Sequence, residues 1–305
     1  MTTLSAPPVR RTGLLAVGAG TGFVVFWSSG FIGARWGTDN GEVFNLLAWR
    51  YLVAATIGLA VLAWRRPRIA RADLITQVLM ALFSQCAYLG LIFSGVDQGV
   101  PAGITALIGA LQPILVATVA GPLLGERVGH WQWVGLVLGV GGVGLVVAGD
   151  LGAGHAAPAV YLLPFAGVVG LVVGTCLDRR RRPKVGVIDG LAIQCVIAAI
   201  FFTTLALGTG QLSAPAAPAF YGAVVWLVLF STAGGYGFYL LNLRLSGATR
   251  ISSLMYLVPP ATMVWAWLMF GETIGLLAVI GMAVAAVAVL IIRTTGGDQG
   301  RSGGH

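Results

Sequence analysis

The chain has 305 residues, of which 57% are hydrophobic and only 9% charged, with a mean hydropathy of +0.91 and a formal net charge of +8. Soluble domains carry about a quarter charged residues, so this composition excludes a soluble globule and predicts an integral, multi-pass protein of the inner (plasma) membrane. The excess of basic residues then reads as a cytoplasmic-loop signal rather than a nucleic-acid one.

A bilayer core takes about 20 apolar residues per helix. Ten runs qualify or nearly so, at 14–33, 43–64, 73–95, 99–121, 129–149, 159–177, 186–208, 219–243, 247–270 and 274–293. Residues 1–12 and 295–305 read as mobile tails. The first run is long enough to span and lacks a clear small-residue cleavage pattern, so no cleavable signal peptide is expected. Cys86, Cys176 and Cys195 lie in or at the end of apolar runs without metal-ligand spacing, and they read as core residues. No metal and no cofactor is expected.

With the N-terminus inside, the cytoplasmic segments hold Arg10, Arg11, Arg65, Arg66, Arg68, Arg71, Arg127, Arg179 to Arg182, Lys184, Arg244, Arg250, Arg293 and Arg301. These are sixteen of the eighteen basic residues; Arg35 falls in an outer loop and Arg50 within a helix. The pattern predicts N-in/C-in. "RRRR" at 179–182 acts as a topology anchor first and as an anionic-lipid contact second.

The chain also repeats itself. At an offset of 146 positions Pro113 meets Pro259, Gly125-Glu126 meets Gly271-Glu272, and Gly135 meets Gly281. Five helices per half is an odd number, so the second half (151–294) sits upside down relative to the first (13–150). The charges agree: Arg127 is replaced by Thr273, and "RRPRIAR" corresponds to the uncharged "GTGQLSAPAAP". The expected fold is all-α, ten transmembrane helices in two inverted five-helix repeats, an architecture associated with secondary transporters.

Several residues stand out along this frame. Arg50 lies in the outer part of the second helix, where a charge costs at least ~2.5 kcal/mol and needs an inward-facing partner. It attracts a substrate carboxylate or phosphate, or it bonds helix carbonyls or pairs with Glu42 or Asp97. Pro113 and Pro259 each free the carbonyl one turn earlier, on Gly109 and Met255. They mark either gating bends or static kinks beside a central cavity. Polar and aromatic side chains expected to line that cavity are Trp27, Ser28, Ser29, Gln85, Tyr88, Thr105, Gln112, Gln194, Tyr236, Tyr239, Asn242, Ser252, Ser253 and Tyr256. Each alone is as well explained by an interhelical hydrogen bond. Together, in an apolar and aromatic lining, they suit a partly hydrophobic small molecule such as an amino acid. Glu126 and Glu272 fall at helix ends and read as turn caps. No carboxylate lies at mid-depth, so facilitated diffusion or exchange stands beside proton antiport. Gly135-x-x-x-Gly139 and Gly281-x-x-x-Ala285 read as helix packing within the chain, or as a dimer face; monomer and homodimer both stay open.

The chain resembles the EamA-type permeases of the drug/metabolite transporter superfamily over about residues 14–293. The resemblance rests on "FWSSGFIGAR", "WRYLVA", "AYLGLIFSGVDQGVPAGITALIGALQPILVATVAGPLLGER" and the second-half copy ending "VPPATMVWAWLMFGET". It implies ten helices in two inverted repeats, a central cavity and movement of small metabolites, with export by alternating access the expected direction. It does not imply one substrate. The alternatives are a facilitative channel, a membrane scaffold or an intramembrane enzyme. The enzyme reading lacks paired carboxylates or a histidine-containing metal pattern, and no phosphate-binding Gly-x-x-x-x-Gly-Lys is present.

Overall fold

The computed structural model describes residues 9–124, 130–153, 155–246, 251 and 254–296. Among these every regular element is a helix and no strand occurs. This follows from the composition, because in lipid a backbone must satisfy its own hydrogen bonds. The helices are α1 (Val9–Thr38), α2 (Val43–Arg65), α3 (Arg71–Asp97), α4 in two pieces (Ala102–Gly109 and Gln112–Leu124) and α5 (His130–Ala153). There follow α6 (Leu162–Arg181), α7 (Val187–Gly208), α8 (from Pro218 to Ser246), α9 (Val258–Phe270) and α10 (Leu276–Gly296). Seven described helices are long and apolar enough to cross a membrane, and shorter apolar helices cover Ala102–Val116, Met255–Phe270 and Leu276–Val287. Large apolar side chains such as Val137, Ile200, Leu268 and Leu276 point outward, as a lipid-facing surface requires. Helix α1 starts at Val9 and α10 runs to Gly296, so each takes a few residues assigned above to the tails. The remainder of both tails, Gly125 to Gly129 with Glu126 and Arg127, and Ser252 and Ser253 lie outside the described residues.

The packing has a two-fold pattern. Helix α2 lies along α7, α5 along α10, and the first piece of α4 along α9. Each of these pairs maps onto itself when the two halves are exchanged. Helix α3 packs on α6, and its exchanged counterpart, α8 on α1, is also present; so are α4 on α6 and α9 on α1.

The departures from regular helix come in pairs as well. Helix α4 breaks at Ala110 and Leu111, two residues before Pro113, and a 3-10 turn (Met255–Leu257) precedes α9, where Pro259 sits in the first turn. A proline lacks the N–H that a helix interior needs, but it fits a first turn. The chain therefore restarts its helix at each proline instead of merely bending through it. A second pair was not expected from the sequence. Helix α3 contains a π-helical turn at Leu82–Ala87, and α8 contains one at Leu227–Gly234. Shifting the first by 146 positions gives 228–233, inside the second.

Helices α2 and α7 are fastened at both ends. At one end Asn45 Nδ2 donates to Ser213 Oγ (3.1 Å), Trp49 Nε1 to Ser213 O (3.0 Å) and the Phe44 N–H to Gln211 Oε1 (3.1 Å). At the other, Arg65 Nε meets the buried Asp189 Oδ1 at 2.6 Å. The α5–α10 pair uses small residues: a Cβ on Gly281 would fall 2.5 Å from the Gly142 carbonyl oxygen, and one on Gly142 would fall 2.8 Å from the Gly281 oxygen. Gly271 ends α9 at φ 68°, a left-handed cap that favours glycine.

The α5–α10 contact gives a direct test. Gly281→Ala forces a methyl against backbone that cannot move aside, and it is expected to cost about 1–3 kcal/mol. Melting in detergent should fall by several degrees. Gly144→Ala on α5, with open space around its Cβ position, should leave melting unchanged or slightly raised; equal losses in both variants would refute the backbone-contact account.

Candidate functional site

Helix α2 carries Arg50 into the interior, where it is 5% exposed. Its Nη2 donates to Thr232 Oγ1 on α8 at 3.2 Å, and its guanidinium carbon lies 5.4 Å from the Tyr51 ring centre and 5.8 Å from that of Phe93. Its Nε is buried without a hydrogen-bond partner. Thr232 is set for this contact by the π-helical turn: its hydroxyl donates to the carbonyl of Leu227, five residues back, at 3.1 Å. The lone pairs are thereby left to accept from Arg50. Neither Glu42 nor Asp97 pairs with Arg50. The ion pairs among the described residues are Arg35–Asp39, Arg65–Asp189 and His155–Asp150, and none involves Arg50.

Beside Arg50 runs a chain of neutral hydrogen bonds. Tyr51 Oη donates to Gln85 Oε1 at 2.7 Å. Gln85 Nε2 donates to Gln194 Oε1 (3.2 Å) and to Tyr236 Oη (3.3 Å), and Gln194 Nε2 donates to Gln77 Oε1 (2.8 Å). Gln77, Gln85, Gln194 and Tyr51 are all buried. The chain ties α2 and α3 of the first half to α7 and α8 of the second. Gln85 sits at its branch point because the π-helical turn of α3 carries it there; π turns recur at functional sites.

An aromatic wall adjoins this chain. The Trp27 ring on α1 lies 5.8 Å from Tyr236, 6.3 Å from Tyr239 and 5.2 Å from Phe23, centre to centre. Trp27, Tyr236 and Tyr239 are half-buried, so part of each ring stays accessible. Arg50, Gln85, Gln194, Tyr236, Tyr239 and Trp27 thus come together.

The other predicted residues lie elsewhere. Ser28, Ser29 and Thr105 are buried, and their hydroxyls bond carbonyls of their own segments, at Val25, Phe26 and Pro101. Asn242 bonds the carbonyls of Ala19 and Phe238 and joins α8 to α1. Gln112 donates to Thr175 Oγ1 on α6 (3.3 Å). Tyr88 is an exception: half-buried, its hydroxyl 3.8 Å from the Cβ position of Gly109 beside the α4 break, it also lies within electrostatic reach of Tyr236 and Arg50, at the edge of the site. Tyr256 and Pro259 line a separate apolar cavity of about 250 Å³ with Leu107, Leu111 and Met282. Pro113 lies at the α4 break. Ser252 and Ser253 fall outside the described residues. Glu272, next to the end of α9, accepts the N–H of Ala102 at the start of α4. Burial pushes its carboxyl above the ordinary value, while the Arg35 charge and that N–H oppose the shift. This is a capping role.

Three residues of the site escaped the sequence reading: Tyr51, Thr232 and Gln77. Gln77 carried a usable signal, an amide inside the apolar stretch "LITQVLM". Thr232 carried none without the π turn.

Comparison with known proteins agrees with this architecture. The model of the EamA-like transporter family matches twice, at residues 14–148 and 158–294. A protein of Streptantibioticus cattleyicolor described as a "probable terminal-alkyne amino-acid exporter" is 32% identical over 90% of this chain and 92% of its own. A "probable amino-acid metabolite efflux pump" of Salmonella typhimurium is 24% identical over 94% of this chain and 96% of its own. An uncharacterized inner membrane transporter of Escherichia coli is 23% identical over 88% and 87%. A crystal structure 20% identical to the chain shares its fold, with a TM-score of 0.65 over 94% of this chain and 99% of the other.

The branch point predicts a graded loss. Gln85→Leu strips partners from the buried Tyr51 and Gln194 and the half-buried Tyr236 together, at about 1–3 kcal/mol for each buried group left unpaired. Gln112→Leu removes one bond at a half-buried position. The first variant should melt well below the second in detergent, and the same melting loss in both would show that the chain is not cooperative.

Proposed function

Because the chain belongs to the EamA-like transporter family, we propose that it exports a small, partly hydrophobic metabolite of the amino-acid class across the inner membrane by alternating access. The observation that carries this reading is Arg50: a buried guanidinium with a free Nε and no counter-charge among the described residues. A guanidinium so placed is unsatisfied until an anion arrives. A carboxylate takes two of its N–H groups at once in a parallel fork. The relatives described as amino-acid exporters support the same substrate class.

The reading extends to orientation and cycle. Both termini lie in the cytoplasm, with ten crossings, as the distribution of arginines favours. The two halves are inverted, so exchanging their conformations turns a site open to one side into a site open to the other. The restarts at Pro113 and Pro259 let the pieces of helix tilt during that exchange. The chain of amides and phenols beside Arg50 contains no carboxylate or imidazole. Substrate exchange therefore proceeds without a proton relay through this site.

Counterflow of L-norvaline in proteoliposomes tests the reading. Wild-type flux should saturate and keep its rate when a pH gradient is collapsed. Arg50→Ala should lower it about 100-fold, the worth of a buried charge-assisted pair at ~3 kcal/mol. Wild-type flux from an Arg50→Ala protein that reaches the membrane normally would overturn the anchor. Pro113→Ala and Pro259→Ala, which restore a backbone donor, should slow turnover several-fold at unchanged half-saturation. A purely static kink predicts an unchanged rate.

A further inference from the structure

We propose that the faces of Trp27 and Tyr236 form a subsite for the ammonium group of the substrate, so that the site selects zwitterions over simple carboxylates and amines. The inference rests on the reading of Arg50 as the carboxylate anchor and adds a second contact to it.

A zwitterion brought into an apolar bundle needs a partner for each charge. The usual partner of an ammonium is a carboxylate, and the described carboxylates are placed or engaged elsewhere. Asp39, Asp150 and Asp189 are in ion pairs, and Glu272 caps α4. Glu42, Asp73, Asp97 and Asp178 sit at or near helix ends, Asp178 close enough for its charge to reach Tyr239. None of the described acids pairs with Arg50. The remaining way to hold a desolvated cation is the negative face of an aromatic ring, within about 6 Å of its centre.

Trp27 and Tyr236 provide two such faces. Their centres are 5.8 Å apart and their planes tilt by 56°, so the two rings present faces side by side on neighbouring helices, and one cation within about 6 Å of either centre lies near both. Each ring is held in place. Tyr236 Oη accepts from Gln85 Nε2, and Trp27 packs on Phe23 one turn away on α1. Each is half-buried.

The spacing suits an α-amino acid. Arg50 bonds Thr232, Tyr236 follows four residues later on α8, and Arg50 lies close enough for its charge to act on the Tyr236 hydroxyl. The ammonium of an α-amino acid is two bonds from its carboxylate carbon. A carboxylate at hydrogen-bond distance from Arg50 therefore leaves the ammonium within reach of the rings one turn along. A dicarboxylate would place its second negative charge against the ring faces, which repel it.

The test uses the full chain in proteoliposomes loaded with L-norvaline. Pentanoate, which lacks the ammonium, and butylamine, which lacks the carboxylate, are the competitors. In the wild type, L-norvaline should compete at least 10-fold better than either. Trp27→Leu should weaken L-norvaline about 10- to 30-fold, the scale of a desolvated cation–π contact, and leave the weak competition by pentanoate unchanged. Trp27→Phe, which keeps a ring face, should recover to within a few-fold; melting in detergent verifies that both variants fold. Pentanoate competing as well as L-norvaline in the wild type would overturn the subsite. So would Trp27→Leu and Trp27→Phe losing L-norvaline equally, or Trp27→Leu behaving as wild type while Arg50→Ala is inactive. If instead Arg50→Ala carries L-norvaline at the wild-type rate, the carboxylate anchor fails.

Discussion

Holding a guanidinium inside an apolar bundle without a counter-charge among the described residues is the constraint around which the interior is organised. A charge removed from water needs compensation, or its pKa shifts until it neutralises; an arginine does not deprotonate. Arg50 finds partial compensation in a threonine hydroxyl and two ring faces. Each of these is weaker than a carboxylate, and in the proposed anchoring role that weakness has a use. A permanent salt bridge would satisfy Arg50 in the absence of substrate and would compete with any anion that arrived. Thr232 keeps the side chain in place without filling its fork.

That arrangement depends on irregular backbone. In a straight α8 the Thr232 hydroxyl would bond the carbonyl four residues back; the π turn shifts it to Leu227, five back. The matching turn in α3 carries Gln85 to the branch of the amide chain. Wider turns leave weaker backbone bonds, and such bonds are tolerated in a membrane where the surroundings are protein rather than lipid. Both π turns are packed in this way, α3 against α6 and α8 against α1. The proline restarts form the other matched pair. Four interruptions come in two pairs, one pair beside Arg50 and the other along the α4–α9 contact. The pairs α2–α7 and α5–α10 run unbroken and stay close through Gly58, Gly142 and Gly281.

Much of this was legible from the sequence, and the reason is local. The helical class follows from hydropathy, since an apolar run in a bilayer has few other options. The duplication showed through Pro113 and Pro259 because each fits the first turn of a restarted helix, and backbone is what a repeat preserves. Arg50 was conspicuous because charge is rare in such surroundings. The π turns were invisible: an inserted residue in a helix leaves no composition signal, and "LFSQCA" and "LVLFSTAG" differ in chemistry at every polar position. Ser28 and Thr105 were misleading for the opposite reason. A hydroxyl in an apolar helix can bond its own backbone, so polarity alone does not place it on a cavity. Which hydroxyls face the site depends on helix rotation, and that is set by partners far along the chain.

The scaffold is two-fold while the site is not, and this difference bears on what the site can hold. At the 146-residue offset Arg50 meets Val196, Gln85 meets Ser231, Tyr236 meets Gly90 and Trp27 meets Val173. The packing pairs and the interruptions obey the exchange of halves; the side chains at the site do not. A symmetric lining would present two equal anchors and favour a ligand with two equal ends, or none in particular. Here the cationic group lies on α2 alone, and the accessible aromatic faces lie on α1 and α8. A ligand with an anionic end and a cationic end close together matches that polarity in one orientation only. In the proposed cycle, symmetry in the frame would supply two equivalent conformations for access from either side, and asymmetry in the lining would fix how the ligand sits in both.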